Sequence, residues 1–89
     1  MKFKLYTTRT FERKLKLFLK KHPELKKEIE EKLNLLIENP FRQSLKTHKL
    51  KGKLENEFAI YLTHEYRILF ILHQEKIYLT NIGSHEDVY

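Results

Sequence analysis

Apolar residues recur along this chain with two different periods, and the change from one to the other divides it into elements. Residues 2–6, Lys-Phe-Lys-Leu-Tyr, alternate polar and apolar as a half-buried strand does. Thr7, Thr8 and Thr10 follow, each able to offer a hydroxyl oxygen to the unpaired N–H groups of a starting helix. Phe11, Leu15, Phe18 and Leu19 then fall on one face at helical spacing, and Arg9, Arg13, Lys16 and Lys20 form a basic ridge on another. His22-Pro23 ends that helix and opens a second, because the residue before a proline is pushed out of the helical region while proline itself suits a first helical turn. Leu25, Ile29, Leu33, Leu36 and Ile37 continue an apolar stripe, with Glu24 in the first turn where the helix dipole favours an anion. Asn39-Pro40 closes it. Two amphipathic helices joined so tightly are expected to form an antiparallel hairpin.

The period then shifts from helical to two. Residues 41–54 read as an irregular basic segment with little apolar content. Phe58, Ile60 and Leu62 alternate with Ala59, Tyr61 and Thr63; residues 66–72 are apolar nearly throughout, as a central strand covered on both faces would be; Ile77 to Ile82 form a further strand. The short polar stretches 63–65 and 73–76 suit hairpin turns. The predicted order is β-αα-βββ, an α+β two-layer domain spanning residues 1–89, with an N-terminal helical hairpin packed on one face of an antiparallel sheet.

Composition narrows the function classes. At 89 residues the chain holds one domain, because a second core could not bury enough surface to stand alone. It has no cysteine, hence no disulfide scaffold and no thiolate nucleophile or zinc–thiolate site. No apolar run approaches a membrane span, and the first residues lack the apolar core of a secretion signal, so a cytoplasmic protein is expected. Histidine spacing does not match a zinc site, and no cofactor motif is visible. The formal net charge is +6, unevenly placed: residues 1–53 carry sixteen basic and six acidic side chains, residues 54–89 two basic and six acidic. Such a concentrated positive field attracts polyanions, nucleic acid or an acidic protein, although a solvated helical surface has the same signature.

Several short motifs, in order and over essentially the whole chain, make it resemble the RelE/ParE toxin superfamily of type II toxin–antitoxin modules. They are the β-αα-βββ order, His48-Lys49-Leu50-Lys51-Gly52 ahead of the sheet, Tyr66-Arg67-Ile68-Leu69-Phe70 opening the central strand, and the ending Asn81-Ile82-Gly83-Ser84-His85-Glu86-Asp87-Val88-Tyr89. The closing Gly-Ser-His with a terminal aromatic is similar to the RelE/YafQ-like branch. That branch implies a ribosome-dependent endoribonuclease that cleaves mRNA in the A site and is neutralised by a cognate antitoxin. The ParE-like alternative implies a DNA gyrase inhibitor, and a catalytically weak RNA-binding member of the same fold is a third reading.

Metal-free RNA cleavage by the neighbouring 2′-OH sets three tasks: removing the 2′ proton, stabilising the charge that builds on the phosphoryl oxygens, and protonating the 5′-oxygen. Arg67 fits the second task, since a guanidinium is a planar fork of donors suited to phosphate, and the resemblance places the family's charge-stabilising arginine there. The plain structural alternative is a strand-end arginine paired with Glu57 or Glu65. His85 is the acid–base candidate, as an imidazole able to take and give a proton, and it matches the C-terminal catalytic histidine of YafQ-like toxins. His48 matches a further site histidine of that branch, and Lys46, Lys49, Lys51 and Lys53 around it would hold phosphates without reading bases. Tyr89 would either stack on a base at the scissile phosphate or anchor the tail. His22, His64 and His73 read as structural. Departures are specific: the strand lysines of RelE would fall at Ala59 and Tyr61, and the histidine, aspartate and arginine of YafQ-like toxins at Leu62, Tyr66 and Asn81.

Overall fold

The computed structural model describes residues 3–50 and 56–88. Strand β1 (Lys4–Thr7) leads into helix α1 (Arg9–Lys21); a 3-10 turn (Pro23–Leu25) leads into α2 (Lys26–Glu38). A second 3-10 turn (Gln43–Leu45) precedes the short strand β2 (His48–Lys49), and β3 (Glu57–Tyr61), β4 (Tyr66–His73) and β5 (Lys76–Ser84) follow, with a one-turn helix α3 (His85–Val88) at the end. The expected α+β layering, with the N-terminal helices against the sheet, is what the chain adopts. No helix among the described residues is long and apolar enough to cross a membrane.

Of the three threonines before the first helix, Thr8 takes the capping role, while the Thr7 hydroxyl donates to Glu12. Thr8 caps α1: its hydroxyl oxygen accepts from Phe11 N–H at 3.1 Å and its O–H donates to the Leu79 carbonyl at 3.0 Å, so one side chain starts the helix and ties it to β5. Pro23 opens a 3-10 turn rather than the α-helix itself, which begins at Lys26. Phe11, Phe18, Ile29 and Leu36 point inward from the two helices and meet Ile60, Leu62, Ile68, Phe70, Ile77, Leu79 and Ile82 from the sheet.

The sheet departs from expectation in three places. Its order is β1-β5-β4-β3-β2, and β1 runs parallel to β5, so the sheet is mixed rather than antiparallel throughout. Alternation in residues 2–6 reports which face is buried; it carries nothing about the direction of the neighbouring strand, which here arrives by way of both helices. The segment read as irregular contributes β2, pairing His48 with Ala59 and Lys49 with Phe58, and it buries Leu45 and Leu50 completely or nearly so. Two well-placed leucines suffice to pin a segment that is otherwise lysine-rich.

The third departure is a bulge. Asn81 pairs with Leu69 but Leu79 pairs with Phe70, which leaves Thr80 as an extra residue in β5. Ile77 and Leu79 face the helices, and after the bulge Ile82 does so as well. The same phase change puts Gly83 opposite Arg67 on the face away from the helices. The ending then folds into a helix through a reciprocal cap: Ser84 N–H donates to Asp87 Oδ2 and Asp87 N–H donates to Ser84 Oγ, both at 3.3 Å. Val88 is thereby laid onto a small second cluster with Leu50, Ala59 and Leu69 on the open face of the sheet.

Candidate functional site

Beyond that small cluster, the open face carries most of the candidate side chains. β3 and β4 are joined by a tight turn in which the N–H groups of Leu62 and Thr63 donate to the Tyr66 carbonyl at 2.9 and 3.3 Å. The next pair outward is Tyr61 with Arg67, neighbours across the two strands. With Leu62 and Tyr66 hydrogen-bonded, that pair is of the close kind, in which facing side chains approach most nearly.

Arg67 is the buried charged residue of the described chain, 9 % exposed. Its Nη1 donates to the carbonyls of Thr63, His64 and Tyr66 at 3.2, 3.0 and 3.2 Å, two from the β3–β4 turn and one from the first residue of β4. Its Cζ lies 3.7 Å from the centroid of the Tyr61 ring. Among the described residues it pairs with neither Glu57 nor Glu65; Glu57 instead accepts from the Thr80 hydroxyl at 3.4 Å. One corner of the guanidinium is therefore committed to backbone and one face is covered by an aromatic ring, and among the described residues Nε and Nη2 have no hydrogen-bond partner, which leaves that edge for an oxyanion.

Tyr61 gathers more than one cation. Lys46 Nζ stands 5.3 Å from the centroid of its ring, and the His48 ring meets it edge-on with centroids 6.3 Å apart. Lys46 sits in the left-handed backbone region (φ 53°), where it ends the second 3-10 turn and swings the chain into β2. Its carbonyl lies 3.1 Å from His48 Nδ1. A carbonyl only accepts, so Nδ1 carries the proton in that contact and Nε2 is the basic nitrogen of the neutral ring.

The positions singled out from sequence thus divide. Arg67, His48 and Lys46 converge on one tyrosine ring. His85 is exposed at the first position of α3, directly after Gly83 and Ser84, which pair with Arg67 and Tyr66, so it belongs to the same end of the sheet. Lys49 pairs with Phe58, whose ring packs into the helix-side cluster, and alternation along β2 turns it away from His48. Lys51, Lys53 and Tyr89 lie outside the described residues. His22, read as structural, fills a junction: its ring packs against Phe18 and Tyr66, and its Nε2 is 3.2 Å from the Tyr66 hydroxyl.

Tyr61 enters the sequence reading only as a member of an alternating strand and as a departure from the RelE lysine pattern, with no role of its own. A signal was present: a tight turn over residues 63–65 sets position 62 opposite 66 and position 61 opposite 67. Ser84 and Asp87, three apart, were likewise a readable capping pair.

Asp87 shows how that cap is maintained. Hydrogen bonding with Ser84, through the side chain first and the backbone second, holds its carboxyl below the ordinary aspartate value of 3.8; Lys14 and Lys21 on α1 act in the same direction, and desolvation opposes them. The two lysines border an open groove of about 490 Å³ on the helix side, between Leu17 of α1 and Gly83, Ser84 and Asp87. Lys46, His48 and Tyr61 do not line it, so this groove is distinct from the cationic cluster, although Gly83, which lines it, pairs with Arg67.

Known proteins share this fold. A chain of the E. coli DinJ-YafQ toxin–antitoxin complex superposes with a TM-score of 0.85 at 16 % identity, over 100 % of this chain and 99 % of that one. YafQ from E. coli strain BL21(DE3) gives 0.82 at 17 % identity, over 96 % of each chain. A YoeB/ParE toxin from Agrobacterium tumefaciens gives 0.75 at 17 % identity, over 92 % and 98 %. No functionally curated protein matches the sequence. The family model described as the bacterial toxin of type II toxin–antitoxin systems, YafQ, matches residues 3–89. The chain belongs to the YafQ family of type II toxins.

Proposed function

We propose that this toxin is an endoribonuclease that cuts mRNA in the ribosomal A site, using the 2′-OH adjacent to the scissile phosphate as nucleophile. The observation that carries this reading is the convergence of a guanidinium, an imidazole and an ammonium on the Tyr61 ring, on the face of the sheet that the helices leave open. His48 Nε2 accepts the 2′ proton, its tautomer set by the contact between Nδ1 and the Lys46 carbonyl. The 2′ oxygen then bonds to phosphorus, and Nε and Nη2 of Arg67 meet the charge that accumulates on the non-bridging oxygens. His85 donates a proton to the departing 5′-oxygen, leaving a 2′,3′-cyclic phosphate on one fragment and a 5′-OH on the other. Lys46 holds a neighbouring phosphate and, with Lys49, Lys51, Lys53 and the rest of the basic N-terminal portion, draws in message and ribosomal RNA. Tyr89 stacks against the bound nucleotide.

An antitoxin is the expected partner, as it is for E. coli YafQ in complex with DinJ. An acidic segment that covers the cationic face silences the toxin in the cytoplasm, where its ribosomal target resides. The deciding experiment induces the toxin and maps transcript ends. Breaks that keep the codon phase of translated messages, with 5′-OH termini, support the nuclease. A DNA-damage response with intact messages supports gyrase inhibition and ends the reading.

A further inference from the structure

We infer that Tyr61 is a positioning residue for Arg67: its ring holds the guanidinium in a single plane so that only the Nε–Nη2 edge meets the scissile phosphate. The inference rests on the nuclease reading for its catalytic meaning, while its geometry can be tested separately. The resemblance to RelE places a lysine at this strand position, and a lysine there would add a second cation. This chain has instead an uncharged ring 3.7 Å beneath the guanidinium, which contributes by restricting the arginine.

An arginine on a strand edge ordinarily samples many rotamers, and that freedom is lost when it binds phosphate. Here two independent restraints remove it beforehand. Three backbone carbonyls grip Nη1, which fixes one corner of the fork but leaves the plane able to swing about that corner. The ring of Tyr61, on the neighbouring strand directly opposite, blocks that swing from one side. Corner and plane together define the orientation of the remaining edge. The ring is itself held as a β3 residue between Arg67 on β4 and His48 on β2, so the restraint is built into the sheet. The phenol hydroxyl takes no part in the contact, which is made by the face of the ring.

Tyr61→Leu and Tyr61→Phe in the full-length chain test this. In single-turnover cleavage of ribosome-bound message, Tyr61→Leu is expected to lower the maximal rate by about tenfold, with little change in half-saturating concentration. Tyr61→Phe is expected to recover most of that loss. Side-chain NMR of the wild-type protein supplies the independent measurement: the Arg67 Hδ and Hε resonances should be displaced upfield by the ring relative to those of Arg9, Arg13 and Arg42, and Tyr61→Leu should abolish the displacement. Absence of the displacement in the wild type overturns the inference without any need for the leucine variant to fold. So does a Tyr61→Leu protein that cleaves at the wild-type rate, or a Tyr61→Phe protein as impaired as Tyr61→Leu, which would assign the effect to the hydroxyl. If wild-type protein leaves message uncut, the nuclease reading fails, and the NMR result decides the geometry on its own.

Discussion

The two faces of this sheet are built on different principles. On the helix side, Ile60, Leu62, Ile68, Phe70, Ile77, Leu79 and Ile82 form one continuous apolar surface against Phe11, Phe18, Ile29 and Leu36. On the opposite side the buried apolar cluster shrinks to Leu50, Ala59, Leu69 and Val88, and Arg67, Tyr61 and His48 stand on the same face. The first face is held by area removed from water, which is indifferent to direction. The second is held by contacts that specify direction: carbonyls on Nη1, a ring on a guanidinium, a carbonyl on Nδ1. The core and the proposed chemistry fall on different sides of one layer, and adjacent residues of β4 face them in alternation.

That contrast predicts that substitutions three positions apart on β4 should fail in opposite ways. Phe70→Ala empties a fully buried site and should cost about 3–5 kcal/mol in denaturant unfolding. Arg67→Ala should cost at most about 2 kcal/mol, the carbonyls it leaves being close enough to the surface to rehydrate, yet lower message cleavage by about 10²–10³-fold. Equal loss of stability in the two variants would erase the distinction between the faces.

Gly83→Ala sharpens the boundary between them. An added Cβ would stand 2.9 Å from Asp87 Cβ and 3.4 Å from Val88 Cγ1, so α3 must shift. The expected cost is about 1–3 kcal/mol, with Val88 and His85 displaced and cleavage reduced while the helix-side core keeps its hydrogen-exchange protection. Exchange that rises equally on both sides would contradict it.

Acid should loosen the same element. Because the Asp87 carboxyl is depressed below 3.8 in the folded chain, its cap contribution is complete above that value and is lost as pH falls through the lower, folded value. Backbone amide shifts of residues 84–88 should move in that acid range and should not do so in Asp87→Asn. The smallest effect belongs to the far end of the sheet. Gln74 adopts φ 58° in the β4–β5 turn, and Gln74→Gly should add about 0.5–1 kcal/mol of stability without altering cleavage.

Much of this was legible beforehand, for physical reasons that also explain the gaps. Helices and central strands announce themselves through the period of their apolar residues, and Thr8, Pro23 and Asn39 act at the ends of elements where their backbone chemistry dictates. Strand direction at the β1 edge leaves no trace in alternation. The sequence reading assigns no element to the residues after Ile82, because four residues are too few to show a helical period, although the Ser84–Asp87 pair marks the cap. Arg67, His48 and Lys46 were recognisable as chemistry by type and by family resemblance; their meeting point was not, because it is an aromatic residue whose importance arises only from what the neighbouring strands set beside it.

Thr80 carries a consequence for the evolution of such a sheet. As the supernumerary residue of β5 it lies outside the pairing, with Leu79 on Phe70 before it and Asn81 on Leu69 after it. Deleting it would restore plain alternation, with Ile82 still toward the helices and Gly83 still opposite Arg67. Descendants of this sequence can therefore shed that one residue of strand length without turning the imidazole-bearing tail to the other side. The same loss in β4, which has no spare residue between Tyr66 and His73, would reverse every side chain beyond it.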